Sequence, residues 1–143
     1  MKQAKKLNVL LVEDHEADRR LVEEALADCH IAVNLQSVSD GDQAIDFIKR
    51  TGAYKKATRP DLIILDLNMP RKDGHEFLEE AHELLRANEI PVVLLTVSDS
   101  PHDLRRAMDK HMNYYLSKPV NAEKLQQVLT VINDLWMPEC CHH

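Results

Sequence analysis

The sequence predicts an α/β protein built on a doubly wound, five-stranded parallel sheet with helices on both faces. Short apolar runs alternate with polar-apolar stretches of helical period, which is typical of alternating strands and helices. Residues 61–66 and 90–96 are almost continuously apolar, as expected of strands buried on both faces. The 143 residues suit one domain, so we expect a single unit with a core over about 7–136 and a tail at 137–143.

The first half of the chain alternates two strands with two helices. The run LNVLLV predicts the first strand, and Leu21, Val22, Ala25 and Leu26 share one face of an amphipathic helix after it. Aspartate followed by glycine then favours a turn. The elements expected here are a strand at 7–12, a helix at 17–28, a strand at 33–38, a turn at 40–41 and a helix at 43–50.

The second half repeats the alternation after residues 52–60, which carry no clear period and indicate a loop or a ragged helix extension. Gly74 closes a loop at 69–74 and can take the positive φ that other residues resist. Pro91 is expected in the first positions of its strand, because proline cannot donate to the ladder. The elements expected here are a strand at 61–66, a helix over 77–85, a strand at 90–96, a short helix near 104–108, a strand at 114–116 and a helix over 125–136.

Composition and charge exclude several classes of protein. Eighteen basic against 24 acidic residues leave a net charge of −6, which disfavours direct nucleic-acid binding. No long apolar run and no secretory signal is present, so we predict a cytoplasmic protein without membrane association. Cys29, Cys140 and Cys141 are expected to be reduced thiols. We interpret the final Cys-Cys-His-His at 140–143 as a loose tail or tag remnant, because four adjacent ligands rarely form a closed metal site.

Polar side chains follow the predicted strands, and ligands bind at the carboxyl ends of strands in sheets of this class. These residues are Glu13, Asp14, Asp66, Thr96 and Lys118. Three carboxylates in one crevice repel one another, and a hard divalent cation such as Mg²⁺ relieves that repulsion. The lysine and threonine would stabilise the oxygens of a transferring phosphoryl group, with Asp66 as nucleophile.

Each of these residues also has an ordinary structural explanation. Glu13 and Asp14 suit the start of a helix, and Asp66 suits the start of a turn. Thr96 is a common strand residue, and a single lysine such as Lys118 is usually a solvated charge. All five nevertheless fall at the same edge of the predicted sheet, in the residue types that phosphoryl transfer requires.

Four segments carry a resemblance to a known family: LLVED at 10–14, DLIILDLNMPRKDG at 61–74, LLT at 94–96 and YLSKP at 115–119. Over about 7–135 the sequence resembles the receiver domain of bacterial two-component response regulators. The resemblance implies a signalling domain that catalyses only its own phosphorylation and dephosphorylation. The implied roles are a metal pair at Glu13 and Asp14, a phosphoryl acceptor at Asp66, a metal-binding carbonyl at Asn68, a switch hydroxyl at Thr96, a phosphate-pairing Lys118 and an aromatic switch at Tyr115.

Within that family the sequence is similar to stand-alone regulators of phytochrome-type histidine kinases. The segments VEDHEAD and RPDLIILDLNMPRKDG and the late Trp136 carry this likeness. It implies a phytochrome-type kinase as phosphoryl donor and an unidentified downstream protein as target. It also implies a homodimer, with Tyr114 and Trp136 as candidate contacts, although a core role suits either residue equally well. With seven residues after Trp136, we expect no appended DNA-binding domain and an output through protein contacts.

The sequence departs from the family pattern in three places, and two of these departures, His15 and Val97, keep an alternative open. His15 and Glu16 stand where Asn-Pro is usual, Val97 stands where a smaller or hydroxylated residue is common, and Ser98 is short and neutral. The alternative is a receiver-like binding module that does not cycle phosphate. An aspartyl phosphatase is less favoured, because that chemistry usually has a second acid where Asn68 stands. A flavodoxin-like cofactor carrier is also less favoured, because no hydroxyl-rich or glycine-rich phosphate loop follows the first strand of this sequence.

Overall fold

The computed structural model describes residues 6–66, 74–96, 113–117 and 121–136. Strands and helices alternate through these segments, as the sequence predicts. The elements are β1 (Leu7–Val12), α1 (Glu16–Ala27), β2 (Val33–Val38), α2 (Gly41–Lys49), a 3₁₀ turn (Gly52–Tyr54), β3 (Leu62–Asp66), α3 (Gly74–Ala87), β4 (Val92–Thr96), β5 (Asn113–Ser117) and a C-terminal helix (Ala122–Trp136). Within this part of the chain, no helix is long and apolar enough to cross a bilayer.

The strands form one sheet in the order β2-β1-β3-β4-β5, and every pair in it is parallel. After β1 the chain moves outward to β2 and then returns to the opposite side of β1 to form β3. The direction of strand addition therefore reverses between β1 and β3. In open α/β sheets this reversal opens a crevice at the carboxyl ends of the two strands.

Two apolar cores cover the two faces of the sheet. On one face, Leu10 of β1 and Ile63 of β3 are buried against residues of α2 and α3, including Phe47 and Phe77. On the other face, buried residues of the same strands pack against buried residues of α1 and the C-terminal helix. The strand residues are Val9, Leu11, Leu62 and Ile64, and the helix residues are Val22, Leu125 and Leu129. Alternate residues of a strand point to opposite faces, so the nearly continuous apolar runs of β1 and β3 bury both faces. The predicted parallel α/β sheet is confirmed.

The start of α2 corrects one prediction. The Asp40 carboxylate accepts a hydrogen bond from the backbone N–H of Gln43 at 2.9 Å and caps the helix. Gly41 consequently lies inside the helix, and the expected turn at 40–41 is an N-cap. At the other end, Arg50 takes a left-handed conformation with φ of 58° and terminates α2.

The second half differs from the prediction in three places. Gly74 is the first residue of α3, not the last residue of a loop, and the glycine with positive φ in the described segments is Gly52 at 59°. Strand β4 begins at Val92, directly after Pro91. The C-terminal helix begins at Ala122, earlier than predicted, because the Asn121 side chain accepts a hydrogen bond from the backbone N–H of Lys124 at 2.8 Å. The predicted helix near 104–108 and the tail at 137–143 lie outside the described residues.

Candidate functional site

The crevice between β1 and β3 brings Glu13 beside Asp66. Val12 of β1 is paired with Leu65 of β3, so the next residue of each strand continues the same register. Glu13 extends the β1 ladder by one step, because its backbone N–H donates to the carbonyl of Val38 at 3.0 Å. Strand alternation directs both side chains to the sheet face that α1 covers. The ends of two buried strands therefore deliver two carboxylates to one place.

The carboxylates of Glu13, Asp14 and Asp66 form a compact acidic cluster. One oxygen from each residue lies within 4.8 Å of the others. Glu13 has 0% and Asp66 has 2% of its surface exposed, whereas Asp14 is exposed to solvent. The cluster thus has two carboxylates at the base of the crevice and a third at its mouth. The sequence prediction that these three acids converge is confirmed.

The chemistry of this donor set fits a divalent cation. Carboxylates that lie within about 5 Å of one another in a low-dielectric site repel, and a cation between them converts repulsion into attraction. An all-oxygen set of carboxylates is the type that Mg²⁺ and Mn²⁺ prefer. The exposed position of Asp14 leaves the site open to water and to an incoming group. Glu13, Asp14 and Asp66 are the residues that would hold the cation.

Two contacts hold the loop between β1 and α1. The backbone N–H of His15 donates to Oε2 of Glu13 at 3.3 Å, and Nη2 of Arg19 donates to the backbone carbonyl of Glu13 at 2.8 Å. The His15 side chain itself is exposed and lies 3.6 Å from the Asp18 carboxylate. The departure from the family pattern at His15 therefore places an imidazole on the surface beside the cluster.

The remaining predicted site residues are described in part. Leu95 of β4 pairs with Asp66, and the next residue, Thr96, pairs with Ser117 of β5. The backbone of Thr96 thus lies at the same edge of the sheet as the acidic cluster. Asn68, Val97, Ser98 and Lys118 lie outside the described residues, as do the side chains of Thr96, Tyr115 and Trp136. Tyr114 is half-buried against the core beneath the C-terminal helix.

Arg19 is a residue of this site that the sequence did not single out. It stands beside Arg20 in a run of charged residues, and nothing in that run distinguishes the two arginines. In the structure Arg20 pairs with Glu16 at the surface at 3.5 Å, whereas Arg19 turns toward the end of β1. Helical spacing alone could have indicated which face of α1 Arg19 occupies, but not the carbonyl that it reaches.

Comparison with known proteins identifies the family. The sequence profile of the response regulator receiver domain matches residues 9–130. The chain belongs to the response regulator receiver domain family. Response regulator Rcp1 of Synechocystis is 40% identical over 129 residues, which are 90% of this chain and 88% of that protein. A probable methanogenesis regulatory protein of Methanothrix harundinacea, FilR2, is 36% identical over 90% of this chain and 83% of its own length.

Solved receiver structures show the same fold. Phosphorylated RcpA, a cyanobacterial phytochrome response regulator, is 38% identical, with a TM-score of 0.76 over 94% of this chain and 96% of that one. The Mn²⁺-bound form of Rcp1 is 40% identical, with a TM-score of 0.74 over 92% and 94% of the two chains. The bacteriophytochrome response regulator AtBRR is 31% identical, with a TM-score of 0.78 over 92% and 96%.

These relatives confirm the resemblance found in the sequence. The receiver domain is a signalling domain of two-component systems and interacts with histidine kinases. Its fold is the flavodoxin-like receiver fold, and its relatives include phytochrome response regulators. Together with the acidic cluster, the Mn²⁺-bound relative indicates a site for a divalent metal.

Proposed function

We propose that this receiver domain accepts a phosphoryl group on Asp66 from a phosphohistidine of a histidine kinase, in a reaction that depends on Mg²⁺. The observation that carries the proposal is the convergence of Glu13, Asp14 and Asp66 at the β1–β3 crevice. Asp66 is suited to be the acceptor because it closes β3, at a position that the strand register holds rigidly. The carbonyl of Asn68 would complete the metal shell.

The chain's own residues would perform the transfer as follows. An Asp66 carboxylate oxygen attacks phosphorus, a P–O bond forms, and the P–N bond to the kinase imidazole breaks, with that nitrogen retaining the electron pair. Bound Mg²⁺ supplies positive charge at the phosphoryl oxygens. The Lys118 ammonium would offset the negative charge of the phosphoryl oxygens from the other side, and Lys118 directly follows Ser117, the residue paired with Thr96. Attack of water on the aspartyl phosphate would return Asp66 to its carboxylate.

Signalling would follow from the new charge at Asp66. We expect the Thr96 hydroxyl and the Lys118 ammonium to move toward the phosphoryl oxygens, with Tyr115 turning inward. Phosphorylation biases a two-state element in this way because it adds charge and strong hydrogen-bond acceptors. Thr96 and Tyr115 lie on the neighbouring strands β4 and β5. The output would be a change in the protein partners that this side of the domain binds.

The proposed kinase is of the phytochrome type, because RcpA is a phytochrome response regulator and AtBRR a bacteriophytochrome response regulator. We further propose that the domain acts on a downstream protein, which is unidentified. We also propose that it forms a homodimer with Tyr114 and Trp136 at the contact. We also propose that residues 1–143 form a single receiver domain. It is supported by the shares of Rcp1 and RcpA that the chain covers, 88% and 96%.

Incubation with acetyl phosphate and Mg²⁺, followed by intact-protein mass spectrometry, tests the function. The expected result is a gain of one phosphoryl group in the parent chain with Mg²⁺, no gain when EDTA is present from the start, and no gain in Asp66→Asn. An Asp61→Asn variant is a control, because Asp61 lies at the opposite end of β3 and binds the backbone N–H of Asn8 at 2.9 Å. Equal labelling of the parent and Asp66→Asn, or no labelling of the parent, would contradict the proposal.

A further inference from the structure

Arg19 contacts the acidic cluster through the backbone of one of its residues, Glu13. Its Nη2 donates to the carbonyl of Glu13 at 2.8 Å, and its own backbone N–H donates to the carbonyl of His15 at 2.9 Å. These bonds join the first turn of α1 to both ends of the short loop that carries Asp14. The loop is also held at Glu13, where the backbone N–H donates to the carbonyl of Val38.

The environment of Arg19 is unusual for a surface arginine. Its Nε is buried and has no hydrogen-bond partner among the described residues. A buried guanidinium donor without a partner is unfavourable, so the conformation requires a compensating gain. Arg20, one residue on, is exposed and lies 3.5 Å from the carboxylate of Glu16. The guanidinium of Arg19 is therefore less solvated than that of Arg20, and it holds the carbonyl of Glu13 in place by a hydrogen bond.

We infer that Arg19 is a positioning residue for the divalent metal site, an inference that rests on the proposed function. The guanidinium sets the orientation of the peptide that joins Glu13 to Asp14. That peptide determines how the buried carboxylate of Glu13 and the exposed carboxylate of Asp14 face each other and Asp66. Groups that orient metal ligands from outside the coordination shell typically change metal affinity by roughly 10- to 100-fold when removed.

The sign of the effect separates positioning from simple electrostatics. A fixed positive charge beside three carboxylates repels a cation, so if Arg19 acted only as a nearby charge, its neutralisation would strengthen metal binding. If it positions the Glu13–Asp14 peptide, its neutralisation weakens metal binding despite that charge effect. Arg19→Met keeps most of the apolar stem and removes both the charge and the hydrogen bond.

Calorimetric titration with Mg²⁺ tests the inference. We expect Arg19→Met to weaken Mg²⁺ binding roughly tenfold, Arg19→Lys to fall between it and the parent, and Arg20→Met to match the parent. In acetyl phosphate labelling, Arg19→Met should need more Mg²⁺ for half-maximal labelling while reaching the parent's maximum. Unchanged or tighter Mg²⁺ binding in Arg19→Met would overturn the inference.

A further variant and the labelling assay separate failure of this inference from failure of the proposed function. If Arg19→Met does not fold by circular dichroism, Arg19→Gln makes the same comparison with a shorter polar side chain, and parent-like Mg²⁺ binding in it would overturn the inference. If the parent binds Mg²⁺ and Arg19→Met binds it more weakly, but neither is labelled, the positioning role stands and the proposed function fails. Labelling of the parent with identical Mg²⁺ dependence in Arg19→Met preserves the proposed function and refutes the role of Arg19.

Discussion

Glu13 and Asp66 are carboxylates with almost no exposed surface in the same crevice. Because Glu13 and Asp66 lie close to each other and to Asp14, repulsion between the carboxylates destabilises the folded state, and a bound cation removes that repulsion. The site is thus built at the expense of stability, as is common where strong interactions are reserved for a ligand. Asp14 lies at the mouth of the crevice, where the acidic cluster meets solvent.

The repulsion between the carboxylates predicts that Asp66→Asn raises the free energy of unfolding. Without divalent metal, the variant should be more stable than the parent by about 1–2 kcal/mol, because one of the mutually repelling charges is gone. With Mg²⁺ at ten times its dissociation constant, the parent should gain about 1.4 kcal/mol and the variant much less. Urea unfolding in EDTA and in Mg²⁺ measures both effects. A variant less stable than the parent in EDTA would show that the cluster carries no net repulsion.

Cys29 illustrates a residue outside the site whose chemistry burial suppresses. Its thiol is half-buried and donates to the carbonyl of Ala25 at 3.3 Å. Desolvation, with a smaller effect from the nearby Asp28 carboxylate, raises the pKa of Cys29 above its ordinary value of 9.0. The raised pKa favours the protonated form of the folded chain, so this contribution to stability is present below pH 9.0 and is lost as the pH rises through the folded-state pKa.

Alkylation by iodoacetamide tests this pKa. In a chain with Cys140→Ser and Cys141→Ser, we expect Cys29 of the folded protein to react several-fold more slowly at pH 8 than the same residue in urea, since the thiolate is the nucleophile. The midpoint of the rate against pH should lie above 9.0 in the folded chain. A midpoint at or below the urea value would contradict the effect of burial.

At the scale of the elements, helix starts depend on single side chains. Asp40 caps α2 through its hydrogen bond to the backbone N–H of Gln43, and Asn121 caps the C-terminal helix in the same way. Helix α2 supplies Phe47 and Ile48 to the core that covers one face of β1 and β3. The cap therefore contributes to the layer that supports the strands of the site.

Replacing the cap of α2 should destabilise the domain without altering the metal site. We expect Asp40→Ala to lower the free energy of unfolding by about 1 kcal/mol and Asp40→Ser, which restores a capping oxygen, to recover most of it. Urea unfolding gives the stability, and Mg²⁺ titration of both variants should match the parent. Equal stability of Asp40→Ala and the parent would show that the bond to Gln43 adds nothing.

The strands were more predictable from sequence than the helix starts, for a physical reason. Strands buried on both faces must be continuously apolar, and that pattern identified β1 and β3 with their terminal acids. Helix starts at Gly41 and Ala122 depend on side-chain hydrogen bonds from neighbouring residues. The conformational freedom of glycine predicts a loop at Gly74, yet the structure places Gly74 in the first turn of α3.

The same contrast applies to the site. Convergence of Glu13, Asp14 and Asp66 was predictable because parallel strands end at one edge, and the polar residue after each buried run falls there. The role of Arg19 was not predictable from sequence, because it depends on the path of the loop between β1 and α1. That path is set in part by the bond from the backbone N–H of Glu13 to the carbonyl of Val38, a contact distant in sequence that no sequence period encodes.

At the scale of the whole molecule, the strand order β2-β1-β3-β4-β5 gathers the site. Two strands contribute acids, and β4 and β5 bring Thr96 and Ser117 to the same edge. The two apolar cores lie on opposite faces of the sheet and leave this edge free for chemistry. One fold thus combines a rigid base for the proposed phosphoryl transfer with helices that cover both faces of the sheet.

Reductive mapping of the phosphorylated residue tests the central claim most directly. A purified phytochrome-type histidine kinase that carries a labelled phosphohistidine is mixed with the parent chain and Mg²⁺, and the product is reduced with borohydride, which converts an aspartyl phosphate to homoserine. Peptide sequencing by mass spectrometry should then find homoserine at position 66 in the parent and nowhere in Asp66→Asn. Homoserine at position 14, or at any position other than 66, would contradict the account.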